Sequence, residues 1–257
     1  MKTFFLIGVL GMKHCGSTMI YSVLIDYFTS LGYVCVNSCQ VIQDPDSVFV
    51  HSLQDASYVC IVKRHDFDQS LVPKLAVCIL PVRDVRDISI SGFHRFCLGN
   101  KYLDHVREPL VREQHDNVLL FGLYYFIQSM NDNIHMFLQW NSACPSPIFI
   151  KYEDLMMNKL HRFENIICKT TGIVCDVHIL ERCIRDQENM YTTKKNIPKN
   201  LCEFSKSPDC QHLLLQDHDT SGGQTKKYET YFNQYEQEII MRDPRILSFL
   251  DIFNYTK

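Results

Sequence analysis

A three-layer α/β fold, with a parallel β-sheet flanked by helices, is predicted by three features of this 257-residue chain. Short apolar runs rich in β-branched residues alternate with longer runs at helical spacing. That alternation implies parallel strands joined by helical crossovers, which cover both faces of the sheet. The hydrophobic fraction of 46% and charged fraction of 21% are ordinary for a domain with a sizeable core. The length fits one large domain spanning residues 1–257.

The elements follow in order. Thr3–Val9 reads as a first buried strand, and Ser17–Ser30 as an amphipathic helix with Ile20, Val23, Leu24 and Tyr27 on one face. Gly32 stops that helix, and Tyr33–Asn37 forms the next strand. Tyr58–Lys63 and Leu75–Val82 are further strands. Helical spacing returns over Asp84–Phe96 and again over Asn117–Trp140, a length suited to a substantial buried helix. Pro147–Lys151 is the last strand, with a helix starting near Glu153. Residues 190–224 contain Pro198, Pro208, Gly222 and Gly223 and little periodicity, so a long loop or lid is expected there. From Tyr228 onward the pattern is helical, and Pro244 starts the last helix.

A net charge of −3 predicts no broad nucleic-acid footprint. The twelve cysteines include no C-x-x-C pair and no zinc-spaced cluster, so no metal is expected. Thiols such as Cys60, Cys78 and Cys168 sit in apolar runs and read as small buried hydrophobes, which favours a reducing, cytoplasmic location. The opening MKTFFLIGVLGM resembles a signal peptide, but Lys13 and His14 follow where a small-residue cleavage site would stand, so the strand is preferred. No run approaches the ~18 apolar residues of a membrane span.

The chemistry concentrates after the first strand. Gly11–Thr18, GMKHCGST, has the spacing of the phosphate-binding pattern G-x-x-x-x-G-K-[ST], except that Ser17 replaces the lysine. Backbone N–H groups of Gly16, Ser17 and Thr18 would open a helix whose dipole favours an anion. Helix capping is the alternative role for Ser17 or Thr18. Further on, Pro81–Phe96 reads PVRDVRDISISGFHRF. Arg83 at a strand end can grip a phosphate bidentately, and Ser91, two turns along the helix, can reach the same group. Surface pairing of Arg83 and Arg86 with Asp84 and Asp87 is the competing role.

Together these stretches resemble the sulfotransferases that use 3′-phosphoadenosine 5′-phosphosulfate (PAPS), a family built on the P-loop NTPase-like sandwich. In that family the first loop ends in a basic residue and an S-G-T-T-like run, matched here by Cys15, Gly16, Ser17 and Thr18. The lysine absent at position 17 is then expected, since the loop holds a 5′-phosphosulfate. The family's basic residue before that run is His14 here, with Lys13 one position earlier. The resemblance implies that one of these two meets the leaving phosphate. Arg83, the Arg86–Asp87 pair and Ser91 match the motif that binds the 3′-phosphate.

A K-x-H motif of the same family is matched by Lys63 and His65 in Val62–His65. The resemblance makes His65 the general base, suited by its ordinary pKa of about 6.5, and Lys63 a stabiliser of developing charge. Tyr152–Leu155, YEDL, follows the last strand as in many members, with Glu153 or Asp154 capping a helix or orienting a basic neighbour. His218–Phe232 loosely resembles the family's nucleotide-closing segment, with Lys226 or Lys227 supplying charge and Tyr228 where tryptophan is common. The resemblance covers residues 3–18, 58–96, 148–155 and 218–255. It implies sulfuryl transfer from PAPS to a hydroxyl or amine of a small-molecule or glycan acceptor, whose pocket is expected from loops around 98–116 and 190–217. A kinase that has replaced its loop lysine, and a non-catalytic nucleotide-binding protein, remain open readings of the same motifs.

Overall fold

The computed structural model of the chain describes residues 4–36, 58–99, 116–172, 174–195 and 225–256. Two compact units divide it: Met1–Val82 with Met136–Lys194, and Arg83–His135 with Lys195–Lys257.

The first unit holds the sheet. Its strands are β1 (Phe4–Leu10), β2 (Val34–Val36), β3 (Tyr58–Arg64), β4 (Val77–Val82) and β5 (Ile148–Lys151), in the order β2-β3-β1-β4-β5. Every pairing is parallel. Helices flank this sheet, as the alternating pattern requires. They are α1 (Ser17–Ser30), the end of α3 (Asp116–Ala143), α4 (Tyr152–Met157), α5 (Lys159–Thr171) and α6 (Val177–Lys195). Ile7 and Val9 of β1, Val59 and Ile61 of β3 and Ile79 of β4 present one face to a core completed by Ile20, Leu24 and Phe28 of α1, Phe163 of α5 and Leu180 of α6. Period-two alternation in the strands meets helical spacing in α1, which is why both patterns are legible in the chain.

Several expected boundaries shift by one to three residues, and two departures stand out. Strand β4 starts at Val77 rather than Leu75, because a 3-10 turn over Val72–Lys74, with Pro73 inside it, occupies the approach. Ala76 then donates its N–H to Leu6 O at 2.9 Å, which hands the chain into the sheet. The opening residues of the loop expected over 190–224 are helical, since α6 continues to Lys195; residues 196–224 lie outside the described residues.

Within the second unit lie α2 (Val85–Gly99), the start of α3, α7 (Tyr228–Tyr231), α8 (Gln234–Met241) and α9 (Pro244–Ile252). Phe93, Phe126, Tyr231 and Phe232 form an aromatic cluster in it, with contacting ring centroids 5.1–6.3 Å apart. A reciprocal capping box of Asn233 and Glu236 starts α8. Asp243 caps α9, and Pro244 follows at its first position. No described helix is long and apolar enough to cross a membrane. Eight cysteines among the described residues are free thiols; Cys60 and Cys78 are buried as expected, whereas Cys168 is exposed.

Candidate functional site

Parallel pairing brings four strand ends to one edge of the sheet. There β1 runs into the glycine loop, β3 into His65, β4 into Arg83 and β5 into Tyr152. The carboxyl edge of a parallel sheet is where ligands bind in open α/β folds.

The loop after β1 is shaped by its glycines. Gly11 has φ +95° and Gly16 φ +81°, both in the left-handed region. His14 also has a positive φ, +56°, which side-chain-bearing residues adopt rarely. Gly16 is the N-cap of α1, so Ser17 and Thr18 lie inside the helix and cap nothing. The first turn contains no acidic residue. Cys15 turns into the core, where its thiol donates to Met12 O at 2.8 Å, so only its backbone faces outward chemistry. Lys13 is exposed and His14 half-buried.

A cation does reach this loop, from the neighbouring strand. Lys63 Nζ donates to Thr18 Oγ1 at 2.6 Å, across 45 residues of sequence. The positive charge missing from position 17 is thus supplied by β3. Thr18 is buried, so this contact is sheltered from bulk water.

His65 sits two residues further on. Its Nδ1 lies 2.8 Å from Gly11 O. A carbonyl only accepts, so Nδ1 carries the proton and Nε2 bears the lone pair. Burial lowers the imidazole pKa below its ordinary 6.5, with the Lys63 and Lys13 ammonium groups adding to the effect. The Gly11 carbonyl and Asp66 act in the opposite sense. A neutral imidazole with Nε2 as acceptor is the form a general base requires.

Behind the loop stands Tyr152, the first residue of α4. A Cβ on Gly16 would meet its ring carbons at 2.9 and 3.2 Å. Tyr152 is buried and cannot swing aside cheaply. Gly16→Ala therefore combines this clash with a left-handed backbone penalty of about 1–2 kcal/mol. The expected result is a melting temperature lower by at least a few degrees, at roughly 2–4 °C per kcal/mol, checked by thermal denaturation. Of the two roles expected for Glu153 and Asp154, the second is found: both lie in the first turn of α4 and not at its cap, and Asp154 accepts from the basic neighbour Arg162 through Nη2 at 2.8 Å.

In the second unit the arginines and aspartates of the RDVRD segment pair as in the competing role, but they are buried and not on the surface. Arg83 Nη1 lies 3.5 Å from Ser91 Oγ, and Nη2 lies 3.7 Å from Asp87 Oδ2. Arg86 grips Asp84 through Nε and Nη2, the latter at 2.6 Å, donates to Tyr255 O at 2.8 Å and stacks on the Tyr228 ring at 3.6 Å. Burial opposes that charge, yet the Asp84 carboxylate outweighs it and raises the Arg86 pKa. Arg86 is therefore a structural cation.

Asp87 ties the C-terminal segment to this cluster. It accepts Lys226 N at 2.7 Å and Tyr228 N at 3.2 Å. Burial lifts its carboxyl above the ordinary 3.8, with Arg83 pulling it down. The backbone of Lys226–Tyr228 is thereby held beside the acid that faces Arg83. The Lys226 ammonium points toward Glu229 at 3.5 Å and is exposed, whereas Lys227 is half-buried. Residues 218–224 of the expected nucleotide-closing segment lie outside the described residues. The Thr18, Tyr152 and Asp87 contacts carry no motif of their own, because each partner is distant in sequence.

No protein-family profile matches the chain, and no curated protein matches it in sequence. Among solved structures, its fold is similar to the crystal structure of mouse sulfotransferase SULT7A1 complexed with PAP. The TM-score is 0.58 at 16% identity, over 97% of this chain and 88% of that one. The architecture is that of the sulfotransferase P-loop NTPase-like α/β fold, a five-stranded all-parallel sheet flanked by helices.

Proposed function

We propose that this protein transfers the sulfuryl group of PAPS to a hydroxyl or amine of a small-molecule or glycan acceptor. The observation that carries the reading is Lys63 Nζ on Thr18 Oγ1 at 2.6 Å, at a helix N-terminus with no acid in its first turn. A cation beside a helix N-terminus suits a 5′-phosphosulfate. Arg83 with Ser91 offers a second donor set suited to a 3′-phosphate. The similarity in fold to a PAP-bound sulfotransferase supports the same reading.

Bound PAPS supplies the sulfuryl group. His65 takes the acceptor proton on Nε2 as the acceptor oxygen or nitrogen forms its bond to sulfur. The electron pair of the breaking S–O bond passes to the leaving 5′-phosphate, held by the amides of Gly16–Thr18, Lys63 and either Lys13 or His14. Arg83 and Ser91, with Lys226 or Lys227, anchor the nucleotide, so much of the acceleration comes from positioning.

Calorimetry with PAP and with ATP–magnesium, followed by a PAPS transfer assay over an acceptor panel, tests the proposal. Binding of PAP with measurable transfer is expected. Preference for ATP–magnesium would support a kinase, and PAP binding with no transfer a non-catalytic nucleotide-binding protein. Because His65 is neutral to below its ordinary pKa, the acid limb of kcat/KM is expected below pH 6.5. A limb above that value would assign the base elsewhere.

A further inference from the structure

We propose that Gly11 and Trp140 are positioning residues that hold His65 with Nδ1 protonated and Nε2 open, making the anion-binding loop and the base one unit. The inference rests on the reading of His65 as the base.

Two independent grips act on His65. Trp140, in the last turns of α3, donates its indole N–H to the His65 backbone carbonyl at 3.1 Å. Its side chain is fully buried and meets the Phe67 ring edge-on at 5.0 Å, so the donor is rigid. The second grip is Gly11 O on Nδ1 at 2.8 Å. A free imidazole in water prefers its proton on Nε2, which would leave the wrong nitrogen basic. The Gly11 carbonyl reverses that preference.

Gly11 is itself held by the strand it serves. Its N–H donates to Arg64 O at 3.0 Å while its carbonyl accepts from the next residue, His65. Both contacts are made with Gly11 at a φ of +95°. A Cβ at Gly11 would meet Leu80 Cδ2 at 3.7 Å and the Phe137 Cα at 4.0 Å, ordinary contact distances. Glycine is therefore demanded by backbone direction and not by crowding. A loop that leaves its place takes the carbonyl with it and frees the ring to change tautomer. The charged groups facing His65 are Lys63, Lys13 and Asp66.

The test is side-chain NMR of full-length protein carrying ¹⁵N-histidine, from about pH 5 to about pH 8 where histidine titrates. The His65 signals are assigned by their loss in His65→Asn. Wild type is expected to show a bare Nε2 in a single tautomer. Trp140→Phe keeps the ring and removes the N–H; it is expected to give mixed tautomers. Phe67→Leu alters packing but spares the donor, and is expected to match wild type. A proton on Nε2 of the wild type near neutral pH, or an unchanged tautomer in Trp140→Phe, overturns the proposal. Should Trp140→Phe not fold, Gly11→Ala is read in the same way, and an unchanged tautomer there is equally fatal. PAP calorimetry on the same samples separates the two readings. Failure to bind PAP with the tautomer intact counts against sulfuryl transfer and leaves the positioning standing.

Discussion

His65→Asn is expected to lower sulfuryl transfer from PAPS by about 10²–10⁴-fold, the usual contribution of a positioned general base, with PAP affinity unchanged. Asparagine is the informative replacement because its amide N–H can still donate to Gly11 O, where Nδ1 now does at 2.8 Å. The loop keeps its partner and only the basic nitrogen is lost. His65→Ala removes both, and any difference between the two variants measures what the Gly11 contact contributes to loop shape. Steady-state rates and PAP calorimetry check the expectation. Full turnover in His65→Asn would remove the residue from the chemistry.

Arg83→Ala is expected to weaken PAP binding by about 2–5 kcal/mol, the range for truncating one partner of a buried charge pair. That is roughly thirty-fold to several-thousand-fold in Kd. Arg83 is only 4% exposed and lies 3.7 Å from Asp87, itself fully buried. Removing the guanidinium leaves that carboxyl with the Lys226 and Tyr228 amides, its remaining hydrogen-bond donors among the described residues, so some loss of stability is expected as well. Arg83→Lys separates the effects: it returns a charge for Asp87 but not the planar fork that matches a phosphate. Calorimetry should therefore find Arg83→Lys close to wild type in melting temperature and still weak for PAP. Equal loss of PAP affinity in the Arg83 and His65 variants would refute the division of roles.

The fold was legible because its signals are local. β-branched runs mark β1, β3 and β4, Gly32 closes α1, and Pro244 opens α9. Where the reading slipped, the element continues past the end of its apolar pattern or a local turn delays its start. The last turns of α6 run through a polar Thr-Thr-Lys-Lys stretch, where apolar spacing gives no further support. The candidate site divides along the same line. Residue types and short spacings point to Gly16, Lys63, His65, Arg83 and Ser91. What each side chain touches depends on partners far along the chain: Thr18 lies 45 residues from Lys63, and Trp140 lies 75 from His65. No window of sequence contains both members of such a pair. Even Ser17 and Thr18, plausible as caps by residue type, are displaced into the helix because Gly16 adopts the left-handed turn.

The ammonium that meets Thr18 is carried by β3 and not by the turn it serves. A charge borne on a turn follows every thermal excursion of that turn and rewards no particular shape. One anchored in a ladder stays behind, so a wandering turn forfeits its counter-charge along with its geometry. On the proposed reading, affinity for an anion thereby becomes a gauge of alignment: tight holding and correct placement arrive in the same event.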